Sequence, residues 1–170
     1  MTNLKHVLSR SLFVFAGGLC ITLLLLSTFG YFLALSRPYL EATIVIKCLG
    51  AAQFLAFLAV FNCIASSALV YYGIGHSISA QGVPAWQKWL IGIAFFFFAL
   101  EMLWVWSHSV GSSFRLTGQA WEAAKRLGPW VQVSPEQVIS SAWLNIRALC
   151  ALTLMFCVSA LIPLRVFRHR

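Results

Sequence analysis

Four apolar runs, each near or beyond the length that crosses a bilayer, constrain this chain more than any other feature. One crossing takes about 20 residues at about 1.5 Å each. The first run, SLFVFAGGLCITLLLLSTFGYFLAL, covers residues 11–35; the others cover 42–72, 89–107 and 146–166. In hydrocarbon every backbone N–H and C=O must find its partner inside the protein, so runs of this kind fold as helices. The expected fold is therefore all-α, a polytopic membrane protein built as a four-transmembrane-helix bundle. A single domain over residues 1–170 is expected, with a short extramembrane helical segment between spans 3 and 4, in the outer stretch 108–141.

Composition points the same way. Of 170 residues 61% are apolar and 9% charged, whereas about a quarter are charged in soluble domains. Too little chain lies outside the runs for a soluble catalytic domain. The net charge of +8 does not point to nucleic acid, because the twelve Lys and Arg are spread over the ends, the loops and the spans, with no basic face carrying interleaved aromatics. Anionic headgroups select such a distribution at span ends.

Lys5 and Arg10 precede the first run, as in a signal peptide, and ALSRP offers a small-residue cleavage site at Ser36. Signal cores are only about 7 to 15 residues, so this run is expected to be a retained anchor. The second run is long enough that it must tilt or project. The loop GIGHSISAQGVPAWQK separates it from the third, its glycines and Pro84 breaking any helix, and Pro163 falls near the end of the fourth run, where it does little damage.

Basic residues near span ends set the expected orientation. With the N-terminus cytoplasmic, the inner segments hold Lys5, Arg10, Lys88, Arg165, Arg168 and Arg170, and the outer ones hold Arg37, Arg115, Lys125 and Arg126. Both termini are expected in the cytoplasm, with the protein in a bacterial-type inner membrane. Trp86, Trp89, Trp104, Trp106, Tyr71 and Tyr72 stand where interfacial aromatic belts form.

The outer stretch contains a helix start. In SPEQ, Ser134 caps, Pro135 suits the first helical position, Glu136 complements the dipole and Gln137 completes a capping box. Upstream, TGQAWEAAKRLGP reads as a short surface helix from Thr117, stopped by Gly128 and Pro129, with Trp121, Ala124 and Leu127 roughly on one side.

An ionisable side chain at mid-span costs at least about 2.5 to 3.5 kcal/mol, so each one asks for a partner or a task. Lys47 falls about 7.5 Å inside the second span and Glu101 about 10 Å inside the third; Arg147 marks the outer edge of the fourth. Lys47, Glu101 and Arg147 are expected to form an intramembrane charge cluster, with Glu101 paired to Lys47 or Arg147 to fix helix register. A protonatable Glu101 in a coupled transport pathway is the alternative.

On the second helix, at about 100° per residue, Cys48, Ala52, Ala56, Ala59, Cys63, Ser66 and Ser67 form one stripe of small residues. Small residues let helix backbones approach closely, so the stripe should meet another helix of the bundle or of another subunit. Gln53 and Asn62 flank it on opposite sides, both expected to hydrogen-bond across the contact, with a second contact needed to satisfy the pair.

The catalytic inventory is thin. The chain has no aspartate, which removes paired-aspartate proteolysis, and it has no HExxH, GxSxG or Gly-rich phosphate loop. Cys20, Cys48, Cys63, Cys150 and Cys157 all lie within apolar runs with no CxxC among them, as expected of packing residues. His76 and His108 belong to opposite ends of neighbouring spans, so they are not expected to share a haem; His6 and His169 flank the chain. No catalytic, cofactor or metal residues are expected. The resulting expectation is a non-enzymatic integral membrane protein that acts through protein–protein contacts, as a complex subunit, assembly factor or immunity-type protein. Its expected partners are the lipid bilayer and another membrane protein or a second copy, not nucleic acid. The alternative is a small proton- or ion-coupled transporter or channel subunit using Glu101 with Lys47 or Arg147.

Overall fold

The computed structural model describes residues 2–74, 84–125 and 128–168, with side chains over 11–68, 84–125 and 128–161. His76 and most of its loop, Arg126, Leu127, His169 and Arg170 lie outside the described residues. So do the side chains of Lys5, His6, Arg10, Tyr71, Tyr72, Pro163, Arg165 and Arg168.

The described chain forms helices α1 (Thr2–Ser36), α2 (Ala42–Ile74), α3 (Ala85–His108) and α4 (Pro135–Arg168), with strands β1 (Ser113–Thr117), β2 (Ala120–Ala124) and β3 (Val131–Val133) between α3 and α4. The four helices are each long and apolar enough to cross a membrane, over Ser11–Ser36, Ala42–Ala68, Ala85–His108 and Pro135–Leu161. Their outward faces carry Phe15, Phe29, Phe54, Phe57, Phe95 and Phe96, each more than 60% exposed, an apolar surface of the kind that marks contact with a membrane or another protein.

α4 is the centre of the bundle. Half of its candidate span is buried, against 6% for α3. Small side chains on α4, among them Ala142, Cys150, Ala151, Cys157 and Ala160, are closed off from the surface together with Ala52, Ala56 and Ala59 of α2 and Ala16, Cys20 and Ala34 of α1. Gly30 shows how close the approach is, since a Cβ there would stand 3.0 Å from Cys150 Sγ. α3 packs chiefly on α4, where Val105 meets Leu144 and Ala148.

Local chemistry explains the helix ends. Ser36 donates its hydroxyl to the Leu33 carbonyl, Arg37 takes a left-handed φ of 45°, and Pro38 prevents continuation. The capping box forms as the sequence implies: Gln137 N–H donates to Ser134 Oγ at 3.2 Å, and Ser134 N–H donates to Gln137 Oε1 at 3.0 Å. α4 therefore begins eleven residues ahead of the 146–166 run, and it continues as helix beyond Pro163 to Arg168.

The segment between α3 and α4 corrects the sequence reading. Residues 117–124 form no helix; they belong with 113–116 and 131–133 to an antiparallel sheet of order β1-β2-β3. Thr117 pairs with Ala120 around a two-residue turn in which Gly118 has φ 66°, as a type II′ hairpin requires of its first central residue. The register puts Phe114, Leu116, Trp121, Ala123, Val131 and Val133 on one face and Arg115, Thr117, Glu122 and Gln132 on the other. That alternation of period two is a strand signal, which the spacing of Trp121, Ala124 and Leu127 imitates at helical period. Phe114 packs on the cluster of Ala34, Val45, Leu49 and Trp143, so the apolar face meets the end of the bundle through Phe114, while Leu116 and Val131 stay exposed. On the other face Arg115 Nε meets Glu122 Oε2 at 2.6 Å, with the guanidinium 4.2 Å over the Trp130 ring.

Candidate functional site

The best-defined polar constellation within the bundle is assembled from three helices. α3 presents Gln87, Ile91, Ala94, Phe98, Glu101 and Val105 at alternating spacings of four and three, and these are the positions that turn inward along it. Glu101 is thus carried to the α4 side by the same periodicity that buries Val105. Arg147 stands one residue before Ala148, which Val105 touches. Because α4 starts at Pro135, Arg147 lies about 18 Å along the helix and reaches the level of Glu101.

Arg147 Nε donates to Glu101 Oε2 at 2.6 Å. Tyr31 Oη, from α1, donates to Glu101 Oε1 at 2.7 Å. Both carboxylate oxygens are engaged, and the two charged side chains are only 11% and 13% exposed. The Tyr31 ring is held in turn against Phe97, with centroids 5.5 Å apart. A carboxylate facing a guanidinium and a phenol is neutralised and hydrogen-bonded on the spot, which offsets the cost of removing both charges from water. Chemically the arrangement is a tie across α1, α3 and α4.

Of the expected cluster, Glu101 and Arg147 are brought together and Lys47 is not. Lys47 is exposed on α2 and forms no ion pair among the described residues. Its distance from Glu101 follows from the wheel: Lys47 stands about 140° from the centre of the buried face of α2, so matching depth along the helices did not bring it inward.

The small-residue stripe divides in a similar way. Ala52, Ala56, Ala59 and Ser66 are buried, and Cys63 packs half-buried beside Ala59 and Cys157. Ser67 is exposed and bonds its own helix at the Cys63 carbonyl. Asn62, 3% exposed, donates Nδ2 to the Ala16 carbonyl of α1 at 3.3 Å. Gln53 departs from the expectation: it is exposed, with no hydrogen bond among the described residues. About 100° from the stripe's centre, it overshoots the contact that Asn62 reaches from the other side.

Two polar elements have no counterpart in the sequence reading. Tyr31 was hidden by its surroundings, although a tyrosine five residues inside an apolar run lies too deep for an interfacial belt. Asn145 joins the sheet to the bundle: its Nδ2 donates to the Gly111 carbonyl at 2.9 Å and the Ser141 carbonyl at 2.8 Å, while Val110 N–H donates to Ser141 Oγ at 3.0 Å. Its four-residue spacing from Ser141 was the available signal. Gly111 permits the join, since a Cβ there would stand 2.9 Å from the Ala124 carbonyl oxygen.

His108 stacks on Trp104 with centroids 4.0 Å apart, and its Nδ1 lies 3.0 Å from the Trp104 carbonyl, the posture of an interfacial side chain. Cys20, Cys150 and Cys157 are buried in helix contacts, Cys20 Sγ donating to the Cys157 carbonyl at 3.4 Å. Among the described residues no group of three or more His, Cys, Asp or Glu is placed to hold a metal ion. Comparison with family models, curated proteins and solved structures finds no match to this chain.

Proposed function

We propose that this chain is a non-enzymatic integral protein of a bacterial-type inner membrane, with both termini cytoplasmic, and that it acts by binding another membrane protein, as a complex subunit, assembly factor or immunity-type protein. The observation that carries this reading is the opposite treatment of two polar side chains within the candidate spans. Glu101 is closed inside the bundle with both oxygens engaged, whereas Gln53 stands on the outward surface of α2 with none of its hydrogen-bonding capacity used among the described residues. Gln53 is eleven residues from Ala42, about 16 Å along the helix and so near mid-bilayer. There neither water nor lipid tails can satisfy an amide, and a neighbouring polypeptide can. The interior carboxylate serves to hold the bundle together; the exterior amide serves to recognise.

The test is co-purification of the tagged chain from its native membrane in mild detergent, with stoichiometry measured by mass spectrometry. A stoichiometric membrane partner is expected. A chain that leaves the membrane alone, or only with copies of itself, would overturn the reading. Weight would then pass to transport, tested by proton flux in reconstituted vesicles with Glu101→Gln.

A further inference from the structure

Resting on that reading, we infer that the partner contributes a transmembrane helix that crosses α2 at Gly50 and sets a carboxylate against Lys47. Gly50 is exposed, and a Cβ placed on it would meet nothing within 4 Å. On the helical surface its neighbours at three and four residues are Ile46, Lys47, Gln53 and Phe54, which make the rim of a hole with glycine as its floor. Lys47 and Gln53 lie about 60° to either side of Gly50 and about 9 Å apart along the axis. One helix seated over Gly50 therefore meets the ammonium on one flank and the amide on the other. Gly17, Gly18 and Gly92 are equally open, but none of them is flanked by an unmatched amide.

The chemistry selects the occupant. Lys47 is a donor only, and a neighbouring helix that closes its route to the headgroups leaves an ammonium about 7.5 Å inside the span, which then draws an anion or acceptor. Among the described residues Glu101 is committed to Arg147 and Tyr31, and Glu122 to Arg115 and Thr117; Glu41 precedes α2 about 120° round its axis from Lys47, and Glu136 stands in the first turn of α4, ahead of the apolar run. A second copy would offer another lysine at the same depth. A different chain with Glu or Asp at that level, and any hydrogen-bonding side chain near Gln53, answers both groups. Phe54 and Phe57, 61% and 66% exposed, supply the apolar floor one turn deeper.

The probe is a synthetic Leu/Ala helix of about 23 residues bearing an acceptor dye, with Glu, Gln or Leu at one position about five residues from its end. The full chain carries a donor dye on Gln119→Cys, and energy transfer is read in phosphatidylcholine vesicles. The Glu peptide should associate about tenfold more tightly than the Leu peptide, the scale of one interhelical polar contact. Lys47→Met should erase that advantage, and Gly50→Leu should block all three peptides. Gly50→Ala, melting as the wild type or above, keeps the steric arm readable. Equal binding of Glu and Leu peptides, or an advantage that survives Lys47→Met, would overturn the proposal. Energy transfer between donor- and acceptor-labelled copies of the chain that Gly50→Leu abolishes would overturn it too, assigning the face to a homodimer. A native partner that co-purifies equally with Gly50→Leu removes this face while leaving the proposed function standing; absence of any partner from the wild type removes that function itself.

Discussion

Arg147 of α4 meets Glu101 of α3 at 2.6 Å between Nε and Oε2, both side chains nearly closed off from the surface. The contact matters more for α3 than for any other helix, because only 6% of the α3 span is buried and little else holds it. Removing one charge strands the other, so Arg147→Met should cost about 3 kcal/mol and Glu101→Gln a comparable amount. The double variant should fall short of the sum by about 1 kcal/mol or more. Lys47→Met combined with Glu101→Gln should instead be additive within about 0.5 kcal/mol. Unfolding in detergent measures all of these, and additivity for Glu101 with Arg147 would refute the tie.

Tyr31 completes the carboxylate's coordination from α1, and Tyr31→Phe tests the hydroxyl alone, since the ring contact with Phe97 at 5.5 Å survives. A hydrogen bond to a charged acceptor contributes about 1.5 to 3 kcal/mol. The loss should lie at the lower end, because Tyr31 is only half-buried and the carboxylate keeps Arg147. Wild-type melting in Tyr31→Phe would show that the phenol adds nothing to the ion pair.

The helices were legible in the sequence because a span is written in consecutive residues. Ser134 and Gln137 announced the start of α4 for the same reason, a cap being local chemistry. The pairing of Glu101 with Arg147 was half legible: depth along each helix follows from residue counting, but the direction a side chain faces depends on which helices are neighbours. Lys47 shared the depth and faced outward, and Gln53 did the same beside a stripe that packs inward. The hairpin was misread because Trp121, Ala123 and Ala124 satisfy a helical and an alternating pattern at once, and the pairing of Phe114 with Ala123 and Leu116 with Trp121 is what decides between them. Tyr31 and Asn145 act at a distance of many residues, and nothing next to them in the chain declares it.

Two glycines should respond in opposite directions to the same change. Gly111→Ala would press a methyl to 2.9 Å from the Ala124 carbonyl oxygen and 3.1 Å from its nitrogen. Backbone cannot give way as a flexible side chain can, so a loss of about 1 to 3 kcal/mol is expected, with faster amide exchange at Ser112, whose N–H bonds the Ala124 carbonyl at 3.0 Å. Gly50→Ala meets open space and should stabilise the isolated chain by about 0.5 to 1 kcal/mol through helix propensity. Wild-type stability and unchanged Ser112 exchange in Gly111→Ala would mean that the sheet is not held through Gly111, and a loss in Gly50→Ala would mean that its surface is not open.

Orientation can be read with an impermeant maleimide, because the chain's own thiols are poor targets. Cys20, Cys150 and Cys157 are buried and Cys48 and Cys63 half-buried, within candidate spans where a bilayer would deny the reactive thiolate its solvation. A cysteine at the exposed hairpin tip, Gln119→Cys, reports the sheet's side; Lys88→Cys, exposed in the first turn of α3, reports the opposite one. If basic residues hold their span ends in the cytoplasm, intact cells should label Gln119→Cys at once and Lys88→Cys only after permeabilisation. The reverse pattern would keep the bundle and invert it, exchanging the side from which a partner meets the sheet. Labelling of both from one side would mean that α3 does not cross, and a Glu101 outside the hydrocarbon would need neither Arg147 nor Tyr31 to be tolerated there.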